Sequence, residues 1–100
     1  MQIQVISLEN WSAATKIIGM IKKIATRLKI DIKPELVIVK TTEAAARYRH
    51  IGGPTVHVNG IDIEPEARDI EQFSLAWRRY GVSSIPPEQL IESAIIDAMD

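Results

Sequence analysis

Residues 52–63, GGPTVHVNGIDI, leave the backbone few choices. Asn59-Gly60 supplies the two positive-φ positions of a type I′ turn, and the alternating residues around it predict an antiparallel hairpin. Val56 and Val58 share one face of its first strand, and Thr55 and His57 share the other. Pro54 stands directly before that strand. A cis X-Pro bond costs little more than a trans one and turns the chain sharply, so the position suits a corner that turns backbone groups toward a groove.

Upstream, the pattern predicts a βαβ unit. Residues 3–8, IQVISL, carry apolar side chains on both sides and read as a buried central strand. From Ser12 to Lys29, Ala13, Ile17, Met20, Ile21, Ile24 and Leu28 recur at three- and four-residue steps, the apolar face of an amphipathic helix. Its cations, Lys16, Lys22, Lys23, Arg27 and Lys29, form a solvated face. Residues 35–40, ELVIVK, give a second strand, parallel to the first by a right-handed crossover. Thr41 or Thr42 then caps a short helix through TEAAARYR, and Gly52-Gly53 stop it. After the hairpin, Ile70, Phe73 and Trp77 in residues 66–80 fit either a helix or a long structured excursion. Pro86-Pro87 open a closing helix with a buried stripe of Leu90, Ile91, Ala94, Ile95 and Ala98.

One hundred residues suit one domain, 1–100, with one core. A net charge of -1 gives no global attraction to nucleic acid, although RYRH and WRRY interleave arginine with aromatic residues. No apolar run reaches the length of a membrane span and the first residues lack a signal-peptide pattern, so a cytoplasmic location is expected. There is no cysteine, which excludes disulfides, thiolate metal sites and cysteine nucleophiles. His50 and His57 have no metal-ligand spacing, so no metal or other cofactor is expected; a surface His50 and a partly buried His57 are.

The order β-α-β-α-β-β-α, with a proline before the third strand, resembles the thioredoxin fold over nearly the whole chain. The similarity is greatest to a group of small bacterial and archaeal thioredoxin-like proteins, through VNGIDIEPEA and FSLAWRRYG, where Phe73, Leu75, Arg78 and Tyr80 fit the group's pattern. The resemblance implies an α/β fold, a mixed four-stranded sheet of order 2-1-3-4 flanked by helices, and a cis-proline at Pro54. It also places tryptophan at both cysteine positions of the group, Trp11 and Trp77. Indole has no nucleophile, so thiol-disulfide exchange is excluded.

Three readings follow from the resemblance. Trp11, Ser12, Pro54 and Trp77, with the exposed backbone of Gly53 and Thr55, line a groove for a peptide, a protein partner or a second copy of the chain. Alternatively, Ser12 steadies a glutathione thiolate at a helix N-terminus, as in the glutathione-transferase branch of the fold. In the third, the tryptophans pack against each other near Pro54 and leave a structural relic. The first is the principal expectation: a cysteine-free binding or accessory domain.

Overall fold

A computed structural model describes residues 1–8, 12–81 and 83–99. In chain order the elements are β1 (Ile3–Ser7), α1 (Ser12–Leu28), β2 (Glu35–Ile38), α2 (Thr42–Arg47), β3 (Thr55–Val58), β4 (Ile61–Asp62) and α3 (Glu88–Met99). They build one mixed sheet of order β2-β1-β3-β4. β1 runs parallel to β2 and antiparallel to β3, with Val5 opposite Leu36 on one side and Val56 on the other. The expected α/β class and strand order are therefore present.

The two faces of the sheet carry different chemistry. Ile3, Val5, Val56 and Val58 point to one face and pack with Ile17, Ile21 and Ile24 of α1 and Ile91 and Ile95 of α3. All nine are buried, and each large aliphatic side chain withdrawn from water contributes about 1.5–3 kcal/mol. Arg27 of α1 reaches Glu92 of α3 at 2.6 Å across the surface. On the other face, by strand alternation, stand Thr55 and His57, with Asp62 beside His57 in the β3–β4 register. Buried polar groups fill this side: His50, Thr55, His57, Asp62 and Arg78.

The Asn59-Gly60 turn forms with both φ angles positive, +53° and +79°. The Asn59 side-chain oxygen also accepts from the Gln2 backbone N–H at 2.8 Å, tying the hairpin to the start of β1. α2 is capped as expected, the Thr41 hydroxyl accepting from the Ala44 N–H at 3.1 Å. It ends before the glycine pair, however. Arg49 takes the left-handed conformation, φ +54°, and the His50 N–H returns to the Ala45 carbonyl, the geometry of a helix C-terminus in which glycine is the usual residue.

Residues 66–80 are the excursion and not a helix. Beyond a single 3₁₀ turn, Pro65–Ala67, the chain runs as an irregular strap. The helical spacing of Ile70, Phe73 and Trp77 does not bury them together: Ile70 and Trp77 are exposed, while Arg78 and Tyr80 are buried. The strap gains its order from long-range bonds to the loop before β3. No helix among the described residues is long and apolar enough to cross a membrane.

Candidate functional site

The strap and the His50–Pro54 loop lie side by side, bonded backbone to backbone. Ser74 N–H donates to the His50 carbonyl at 2.9 Å, Gly53 N–H to Ala76 at 2.8 Å, and Arg78 N–H to Gly53 at 2.8 Å. Gly53 and Trp77 thus form a parallel bridge. The Gly53–Pro54 peptide bond is cis, and the Tyr80 hydroxyl donates to the Pro54 carbonyl at 2.8 Å. Burial pushes the Tyr80 hydroxyl above its usual titration range, so it remains a donor.

Gly52 lets the two segments approach. A Cβ on Gly52 would stand 2.8 Å from the Arg78 Cβ, and its φ of +153° is one that side-chain-bearing residues rarely adopt. The Thr55 hydroxyl closes the loop by donating back to the Gly52 carbonyl.

Arg78 anchors the strap. Its guanidinium binds the Asp62 carboxylate through two bonds, 2.7 and 2.9 Å, and Glu64 through a third at 2.9 Å. It also lies 4.4 Å from the centre of the Tyr80 ring. Burial opposes the Arg78 charge, but the bonds from Asp62 and Glu64 outweigh it and hold the group firmly protonated.

His50 is not at the surface, as the sequence suggested, but wholly buried. The strap covers it, a long-range contact that no local pattern announces. Its Nδ1 is 2.6 Å from the Ser74 carbonyl, which only accepts, so the neutral ring carries its proton on Nδ1. Nε2 has no hydrogen-bond partner and faces Gly53, whose Cβ, if present, would be 3.2 Å away. His57 is 4.0 Å from Asp62, too far for a hydrogen bond. Burial lowers the titration range of both histidines.

A pH dependence with a definite sign follows. Each histidine titrates below the ordinary 6.5 in the folded protein, so between those values the unfolded chain binds more protons. Stability is level above about pH 6.5 and declines as the pH falls below it. Urea unfolding at pH 7.5 and 5.5 should show the lower midpoint at 5.5, and His50→Gln should flatten part of that slope.

In front of this polar layer lies an open groove of about 600 Å³ lined by Leu8, Val39, Lys40, Leu75 and Trp77. It stands where β1 and β2 end, the carboxyl edge of the parallel pair, where ligands of open α/β sheets characteristically bind. Trp77 is 63% exposed, the most exposed of the large hydrophobic residues among those described. An indole exposed over most of its surface beside aliphatic neighbours makes an apolar patch of the kind that marks a contact surface.

The residues expected at the site separate. Trp77 stands at the groove, and Ser12 is exposed as the first residue of α1. Gly53, Pro54 and Thr55 are buried behind it. The expected free backbone anchor at Gly53 is corrected: the strap occupies both its N–H and its carbonyl. Thr55 is likewise engaged, opposite Ile6 in the β1–β3 register. Trp11 lies outside the described residues. The sequence reading missed Leu8, Val39 and Lys40 as lining residues, although their position just past two parallel strands was a usable signal. No family model, curated protein or solved structure matches the chain.

Proposed function

We propose that this chain is a thioredoxin-like, non-catalytic binding module that holds an extended segment of another protein in the groove beside Pro54. The observation that carries the reading is Trp77, 63% exposed over Leu8, Val39 and Leu75. Element order and sheet topology support the thioredoxin-like assignment.

The neighbouring backbone favours an extended occupant. β2 lies at the sheet edge, bonded to β1 on one side, and is exposed to half-buried along its length. Val39 and Lys40 continue from that edge straight into the groove. A peptide added alongside β2 gains main-chain bonds there and sets a side chain against Trp77, the mode of strand addition. Lys40 favours an acidic residue at the rim.

The rival readings fit less well. A filled groove requires a buried Trp77. In the glutathione-transferase branch the residues beside the proline also bind the tripeptide backbone, and here the strap holds both polar groups of Gly53. Selection of peptides from a displayed library tests the proposal: bound sequences should be extended and apolar with an acidic residue. Trp77→Ala should weaken them by at least about 30-fold, the scale of an aromatic hot spot of 2 kcal/mol or more. Peptides that bind Trp77→Ala as tightly as the parent protein would contradict it.

A further inference from the structure

A second cleft, away from Trp77, lies at the β3–β4 hairpin. Its volume is about 140 Å³, and Arg49, Arg68 and His57 contribute polar groups to it while Ile51, Ile61 and Ile70 contribute aliphatic wall. Ile61 and Ile70 are 52% and 42% exposed, an unfavourable state for two isoleucines around one depression. We propose that this cleft binds a small branched-chain carboxylic acid, its carboxylate between Arg49, Arg68 and His57 and its hydrocarbon against the three isoleucines.

Charge and position support the carboxylate end. Arg68 is held in place by its Nε–H bond to the Asp62 carbonyl at 2.8 Å, and Arg49 packs over the Phe73 ring at 5.0 Å. Asp62 also lines the cleft, but its carboxylate oxygens accept both bonds from Arg78. Arg49, Arg68 and Arg78 together outnumber Asp62 and Glu64 by one charge, so the rim keeps a net positive charge. Guanidinium groups pair with carboxylates through planar two-point bonds. Arg49 also holds a left-handed backbone position that glycine would occupy with less strain.

Size supports the aliphatic end. A cavity of about 150 Å³ accommodates a six-carbon ring, so this cleft matches an acid of about six or seven heavy atoms. Isovalerate has that size and branching, and isovaleramide is its uncharged counterpart. A whole molecule of this kind fits, which favours a free acid over the end of a polypeptide.

The test is a titration of the protein with isovalerate, followed by NMR of the His57 ring and the isoleucine methyl groups. Isovalerate should shift His57 and the methyls of Ile51, Ile61 and Ile70 with a Kd on the order of 1 mM, as a ligand of seven heavy atoms allows. Isovaleramide should bind about tenfold more weakly or not at all, since it lacks the charge the arginines pair with. Arg49→Gln and Arg68→Gln should each weaken the acid by about three- to tenfold, and the His57 titration should move upward when the cleft is occupied. Arg49→Gln leaves the Arg68–Asp62 bond intact, so it reads the charge even if Arg68→Gln unfolds. Equal binding of acid and amide, unchanged binding in Arg49→Gln, or no shift at tens of millimolar acid would overturn the proposal. Tighter binding of the tripeptide Gly-Gly-Val than of isovalerate would overturn the assignment to a free acid. Trp77→Ala should leave every one of these shifts unchanged.

Discussion

Asp62→Ala lowers the unfolding free energy by about 3–5 kcal/mol, because it removes one partner of a buried ion pair and leaves the Arg78 charge without its two-point acceptor. Both side chains are 6% exposed, so water cannot replace the carboxylate without opening the strap. For a domain of 100 residues with a total stability of about 5–15 kcal/mol, that loss is a large fraction of the whole. Arg78→Ala should cost a similar amount and add the loss of the contact with the Tyr80 ring. The exposed pair of Arg27 with Glu92 is the internal comparison: Arg27→Ala should cost no more than about 1 kcal/mol. Replacing both buried partners, as Asp62→Ala with Arg78→Ala, should cost less than the sum of the single changes, since the one carboxylate that then loses its partner is Glu64, whose side chain is 30% exposed. Chemical denaturation of the five proteins measures all of these values. Additive single and double losses would show that the pair contributes nothing as a pair.

Gly52→Ala is the second large effect. The new Cβ meets the Cβ of Arg78 at 2.8 Å and its Cα at 3.3 Å, and neither atom is the movable end of a side chain. The strap must back away, which stretches the bonds of Gly53 to Ala76 and Arg78. Overpacking of this kind costs about 1–3 kcal/mol, and the unfavourable φ adds about 1–3 kcal/mol more. Gly60→Ala separates the two contributions. Gly60 also has a positive φ, +79°, but nothing lies within 4 Å of its Cβ position, so only the backbone cost applies. The difference between the two variants in thermal or urea unfolding reports the close approach of the strap. Equal losses would mean that the strap does not press on Gly52.

These two effects also mark where the sequence was legible. The hairpin was readable because Asn59-Gly60 has few alternatives, and α1 because its apolar positions follow one period for seventeen residues. The parallel pairing of β1 and β2 followed from the right-handed βαβ rule, whereas the full sheet order was expected only from the resemblance to the thioredoxin fold. Residues 66–80 were not readable in the same way. Their order comes from Arg78 reaching Asp62 and Glu64, and from backbone bonds to a loop more than twenty residues away. Gly52-Gly53 looked like a helix stop, yet α2 ends at Arg47 and Gly52 serves the contact with Arg78. His50 looked like a surface residue because the strap that covers it lies far along the chain.

The site was legible in part for the same reason. Trp77 drew attention because the resemblance puts a cysteine at its position, and it does stand at a groove. The lining by Leu8, Val39 and Lys40 depends on the meeting of three separate segments, which side-chain periodicity does not report.

The most direct measurement is the fluorescence of Trp77 in a Trp11→Phe protein, where it is the remaining tryptophan. Red-shifted emission that acrylamide quenches readily is expected in the monomer, and a blue shift with protection from quenching when a selected peptide binds. Blue-shifted emission that resists quenching in the free monomer would contradict the binding proposal, because the groove would then already be filled.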